Sequence, residues 1–120
     1  MDCLFCKIIK GEMESKKLYE DDKVMVILDA YPNCDGHTLI IPKEHYEDFT
    51  KVPDDLLLHI NSVSKNITKL IQEKMNPKSF TYIVNYLEGQ VIKHYHYHIL
   101  PNYHIKPVKT TEEIYNILIK

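Results

Sequence analysis

"HYHYHIL", residues 94–100, sets three histidines at every second position, in a chain with seven histidines among 120 residues. Successive side chains on a β-strand point to opposite faces. His94, His96 and His98 would therefore share one face, about 6.6 Å apart at about 3.3 Å rise per residue, with Tyr95, Tyr97 and Ile99 on the other. On a helix the same residues would scatter around the axis. The run "IKHYHYHILP" is rich in β-branched and aromatic residues, which predicts a strand. Three imidazoles then line one wall.

Outward from this strand, "SFTYIVN" is a second β run, separated from the first by a short loop holding Gly89. Before it, Leu57, Ile60, Val63, Ile67, Leu70 and Ile71 recur at helical spacing, predicting a helix from Pro53 to about Met75, with Pro53 in the first turn and Pro77 as the stop. "HTLIIP" is a strand ended by Pro42, preceded by the turn cluster "YPNCDG". "KKLYED" and "KVMVILDA" form a hairpin around Asp21 and Asp22. At the start, Asp2 caps a short helix through "CLFCKIIK" that Gly11 ends. The tail "TTEEIYNILIK" opens on a capping box, Thr110 with Glu113, and makes a last helix. The order β-β-β-α-β-β predicts an α+β domain on an antiparallel sheet.

At 120 residues the chain is expected to be one domain, residues 1–120, with a modest core. Its 44% hydrophobic and 27% charged residues exclude the disordered and fibrous classes. A net charge of −2 provides no basic field for nucleic acid. No stretch has the roughly 20 apolar residues that cross a membrane, and "MDCLFCKIIKGE" is not a cleavable signal, so a cytoplasmic location is expected. Three cysteines without a secretory signal argue against a disulfide framework. Cys3 and Cys6 remain as thiols or metal ligands, and Cys34 as a bystander.

The histidine wall has three readings. Its members could be surface or core fillers, which strict alternation disfavours. They could hold catalytic zinc or iron through His-x-His, although no Asp or Glu follows at the spacing of a further ligand. Or they could act on phosphorus. A neutral imidazole is a nucleophile toward a phosphoryl centre, and its neighbours can donate to the oxygens, provided something fixes the tautomer of the attacking ring.

His-x-His-x-His followed by two apolar residues resembles the signature of the histidine triad (HIT) superfamily of nucleotide hydrolases and transferases. "CLFCKIIKGE", "LDAYPNCDGHTLIIPKEHY" and "GQVIKHYHYHILP" resemble further family blocks in order and spacing, nearest in look to the bacterial Hint-like branch. The resemblance implies a HIT-like α+β fold: a five-stranded antiparallel sheet, a long central helix and short terminal helices. It implies that His96 attacks the α-phosphorus of a purine nucleotide conjugate, that His98 contacts the phosphate, and that the His94 carbonyl holds His96 in its reactive tautomer. His37 would support the leaving-group side or a hydrogen-bond relay. Asp29 would hold the ribose hydroxyls, a diol suiting a carboxylate. Phe5, Ile8 and Ile27 would line the base pocket, with plain core packing as the alternative.

Asn85 and Gln90 fall where the family has amides facing the phosphate or leaving group. The chain departs from the family at Val91, where many relatives carry Ser or Thr and only the main-chain N–H is left to bind phosphate, and in a shorter Asn85-to-Gln90 stretch. The resemblance also implies a structural zinc on Cys3, Cys6, His45 and His94, not needed for the chemistry, and a homodimer. His59 and His104 are expected to be solvated. The function expected is hydrolysis of purine nucleoside phosphoramidates or related conjugates through a nucleotidyl-histidine. The alternatives are a nucleotide-binding adaptor with little turnover, a dinucleoside polyphosphate hydrolase, and a metal hydrolase.

Overall fold

The computed structural model describes residues 3–120. A short helix α1 (Leu4–Ile9) precedes the hairpin of β1 (Lys17–Glu20) and β2 (Val24–Leu28). Then come β3 (Thr38–Pro42), the long helix α2 (Asp54–Met75), β4 (Phe80–Ile83), β5 (Tyr97–Pro101) and α3 (Thr111–Leu118). The sheet order is β1-β2-β3-β5-β4, and every neighbouring pair is antiparallel. This is the expected α+β architecture of five antiparallel strands, one long helix and short helices.

Residues of β2 and β3 are buried without alternation because both faces of the sheet are covered. Val24, Val26, Ile40 and Ile99 face α2 and α3, meeting Ile60, Val63 and Ile71 of α2 with Ile114 and Leu118 of α3. Met25, Ile27, Leu39 and Ile41 turn the other way and pack on Cys3, Phe5 and Ile8 at α1. Register carries this second face to the histidines: Leu39 pairs with Ile27 on one side and His98 on the other. His98 therefore projects from the α1 face.

The helix forms over the predicted span, but its buried stripe runs through Leu56, Ile60, Val63, Ile67 and Ile71, with Leu57 and Leu70 only half-buried at its flanks and Pro53 at the N-cap rather than inside the first turn. Asn76, at φ 49°, closes it in a left-handed cap. The Thr110–Glu113 capping box is complete, at 2.8 and 3.1 Å. The expected cap Asp2 lies outside the described residues; Cys3 occupies the N-cap of α1, its sulfur accepting from the Cys6 N–H at 3.3 Å.

Two strands are shorter than predicted. β4 stops at Ile83, and β5 begins only at Tyr97, so His94 and His96 lie in the irregular segment before the strand, His94 at a bend. The reason is a change of partner: the Tyr95 N–H donates to the Tyr46 carbonyl at 2.7 Å, in a loop, instead of continuing a ladder.

The turn before β3 depends on Gly36. Its φ is +86°, and a Cβ there would meet Pro101 Cγ at 3.1 Å and Met75 Sδ at 3.3 Å. Gly36→Ala is expected to lower the unfolding free energy by about 1–3 kcal/mol in a urea titration. At Gly89, where an added Cβ would meet nothing nearer than 3.4 Å, the same change is expected to stay within about 0.5 kcal/mol. Equal losses at the two glycines would contradict this packing.

Candidate functional site

The segment before β5 is held from both sides through His94, which is fully buried. Its ring Nε2–H donates to the Pro42 carbonyl at 2.9 Å, which leaves Nδ1 with a bare lone pair. That atom faces Cys3 Sγ at 3.3 Å, Cys6 Sγ at 3.5 Å and His45 Nδ1 at 3.1 Å, with Cys6 Sγ 3.3 Å from His45 Nδ1. A tetrahedral zinc, with Zn–S near 2.3 Å and Zn–N near 2.0 Å, spaces its ligand atoms by about 3.3–3.8 Å. The four donors have edges of this size and lie within 4.8 Å of one another. A carbonyl behind a ligating imidazole is also the outer partner that fixes such rings. The donor set therefore fits zinc.

The same residue governs the next histidine. The main-chain carbonyl of His94 accepts the Nδ1–H of His96 at 2.8 Å, so the lone pair of His96 sits on Nε2. Phe5 packs its ring 4.9 Å from that of His96 and 5.9 Å from that of His94. Burial lowers the pKa of His96, against the opposing pull of the hydrogen bond and of Asp29. His96 is a neutral ring with its nucleophilic nitrogen free.

His98 has the opposite tautomer. The Asn33 N–H donates to His37 Nδ1 at 3.1 Å, so His37 carries its proton on Nε2 and donates it to His98 Nδ1 at 2.9 Å. The proton of His98 is then on Nε2. Among the described residues, that atom is the one buried side-chain nitrogen or oxygen without a hydrogen-bond partner. Asp29 stands beside this pair, Oδ2 3.6 Å from His37 Nε2, while Oδ1 accepts from the Tyr31 N–H at 2.9 Å.

Asp29, His37 and His98 converge as closely as metal ligands do. The Asn33 amide nevertheless keeps the inward nitrogen of His37 protonated, and a protonated nitrogen cannot ligate. The chain thus has one cluster built for a cation and one built for a proton. Burial, followed by the neighbouring imidazoles, holds both His37 and His98 down to about 4, so both are neutral at pH 7.

A family model described as "HIT domain" matches residues 10–105. The chain belongs to the HIT family. It is 44% identical over 102 residues to a protein of Arabidopsis thaliana named adenylylsulfatase, covering 83% of this chain and 52% of that one. It is 42% identical over 105 residues to a Candida albicans protein named adenosine 5'-monophosphoramidase, covering 82% and 69%. In structure it resembles a zinc-bound histidine triad family protein from Mycobacterium smegmatis, at 28% identity and a TM-score of 0.89, covering 99% of this chain and 91% of that one.

Other expected residues of this HIT protein are placed as follows. Phe5, Ile8 and Ile27 are buried together against the sheet, and of these Phe5 meets the histidines, edge-on to His94 and tilted to His96. Asn85 folds back over Gly89. Gln90 is buried and uses its amide NH₂ on the Glu47 carbonyl at 2.6 Å, tying two loops together. The Val91 side chain is 89% exposed. Lys93, not singled out in the sequence, donates to the carbonyls of Leu87 and Gln90 at 3.1 and 2.7 Å and closes the shortened loop. His104 is exposed as expected. His59 is not simply solvated: its Nε2 meets Asp21 Oδ2 at 2.7 Å where α2 packs on the hairpin turn. Cys34 is fully buried, and burial with the Asp35 charge pushes its thiol up to about 11, leaving it inert. Sequence reading also missed the Asn33 amide and the Pro42 carbonyl, main-chain atoms with no side-chain signal.

The lowered pKa values set a stability window. The unfolded chain, titrating near 6.5, binds protons on His37 and His98 that the folded chain refuses until about pH 4. Stability is fully present above pH 6.5 and falls as pH drops toward 4. Tm measured across this range should fall less steeply for His37→Gln than for the wild type. Parallel curves would contradict the assignment.

Proposed function

We propose that this HIT protein hydrolyses purine nucleoside phosphoramidates and related adenylyl conjugates at the α-phosphorus through a nucleotidyl-His96 intermediate. One observation carries the reading: two adjacent imidazoles, centroids 4.9 Å apart, held in opposite tautomers. A bare nitrogen on His96 and an unpartnered N–H on His98 are what an electrophilic phosphorus and its anionic oxygens call for. The names of the two relatives, one a monophosphoramidase and one an adenylylsulfatase, support transfer of the same adenylyl group from different leaving groups.

In the first step His96 Nε2 bonds to phosphorus and the phosphorus–nitrogen bond breaks, its pair leaving on the nitrogen, which takes a proton from water and leaves hydroxide. The charge arising on His96 is held by the His94 carbonyl and the nearby Asp29. His98 Nε2–H donates to a non-bridging oxygen. Water then attacks phosphorus and gives its proton to that hydroxide; the bond from phosphorus to His96 Nε2 breaks, its pair returns to the ring, which is neutral again, and AMP leaves. Asp29 Oδ2 would take the ribose hydroxyls, while Phe5, backed by Ile8 and Ile27, would meet the base. With Gln90 engaged and Val91 lacking a side-chain donor, the phosphate would rest on His98 and main-chain N–H groups.

Zinc on Cys3, Cys6, His45 and His94 belongs to this proposal as a structural ion: it would lock the segment that presents His96 and take no part in the displacement. So does a homodimer. β4 is a sheet edge, and Tyr82, Val84 and Tyr86 beside it are exposed, an edge a second copy could cover.

The test is AMP release from adenosine 5'-phosphoramidate, adenylyl sulfate and a diadenosine polyphosphate. The phosphoramidate is expected to react fastest. His96→Ala should cost at least about 10⁴-fold in kcat, and His98→Ala about 10²–10³-fold. A wild type that binds AMP yet releases none from any substrate would replace this reading with that of an adaptor.

A further inference from the structure

The turn from Asp29 to His37 carries two groups of the site, and its own hydrogen bonds shape it without seating it. The Asp29 N–H meets the His37 carbonyl at 3.0 Å, the His37 N–H meets the Cys34 carbonyl at 3.2 Å, and Thr38 Oγ1 donates to the Gly36 carbonyl at 2.8 Å. Seating comes from outside. Asp35 Oδ1 accepts the main-chain N–H groups of Val108 and Lys109, each at 3.1 Å, across 73 and 74 residues of sequence.

Those donors sit directly before Thr110, the N-cap of α3. The helix is itself firmly docked: Ile114 and Leu118 are buried against α2 and the sheet, and Lys16 pairs with Glu112. A carboxylate is favoured at this end of a helix, where unpaired N–H groups and the dipole both attract it. Along the seam, turn and tail face each other across a narrow cleft, half open to solvent, that Asp29, His37, Lys109 and Ile114 help to line. Residues 108 and 109 lie beyond the family match, which ends at 105.

We propose that Asp35 is a positioning residue for the hydrolase: its carboxylate docks the turn bearing Asp29 and His37 onto the start of α3, and thereby sets the Asn33–His37–His98 chain. The C-terminal tail thus reaches the site through one side chain without touching substrate. The kinetic part of this inference rests on the proposed hydrolase reading; the structural part does not.

The test compares full-length, zinc-loaded wild type, Asp35→Ala and Asp35→Asn, using AMP release from adenosine 5'-phosphoramidate and long-range ¹H–¹⁵N spectra of the imidazoles. In the wild type His37 should show a single Nε2–H tautomer. In Asp35→Ala this signature should give way to averaged tautomers and kcat should fall about tenfold, the scale of a small misplacement. Asp35→Asn, whose amide oxygen still accepts, should keep the tautomer and stay within about twofold in kcat. A purely structural role would lower Tm in Asp35→Ala while leaving the tautomer and kcat as in the wild type, and that result overturns the proposal, as does equal loss in both variants. If the wild type releases no AMP, the hydrolase reading fails, and the His37 spectrum still decides the docking.

Discussion

His94 makes three connections at once, and the rest of the site depends on them. Its Nε2–H is tied to the Pro42 carbonyl, its Nδ1 faces two sulfurs and a second imidazole, and its own carbonyl fixes the proton of His96. The ring and the main chain of one residue thus join the Cys₂His₂ cluster to the proposed nucleophile over two positions of sequence. A surface histidine could not do this, because water would compete for each bond; burial makes every unmade bond costly and the arrangement singular.

The main chain decides what each histidine cluster does. Where the outer partner is a carbonyl, at Pro42, the inward nitrogen is left bare, and two sulfurs and a second imidazole nitrogen gather around it. Where the outer partner is an amide N–H, at Asn33, the inward nitrogen is protonated, and the result is a chain of donors ending on His98 Nε2. Two histidines stand in each cluster, beside two cysteines in one and a carboxylate in the other, and the histidines alone do not distinguish them. The difference lies in which end of a peptide group meets the ring.

That same distinction explains how much was legible in the sequence. The α3 capping box and the hairpin are patterns of side chains at fixed spacing that formed as read, and the α2 stripe formed with Leu56 in place of Leu57; of the three alternating histidines only His98 lies on the strand. Cys3, Cys6, His45 and His94 came together as the family resemblance implied. What could not be read depends on contacts between distant segments. β5 starts late because Tyr95 turns to Tyr46; Gln90, expected to face substrate, is spent on Glu47; His59 finds Asp21 only when α2 packs. The Asp35 contact spans most of the chain, and both its donors are backbone amides that any residue but proline supplies.

The central claim is that His94 couples the metal cluster to the tautomer of His96. Long-range ¹H–¹⁵N spectra of the imidazoles, recorded on zinc-loaded protein and again after chelation under conditions where the chain stays folded, test it most directly. With zinc bound, His94 should show a proton on Nε2 alone and His96 a proton on Nδ1 alone; after chelation His96 should become a mixture of tautomers. A His96 that keeps its Nδ1–H form unchanged without the metal, or that carries its proton on Nε2 with the metal present, would contradict the account.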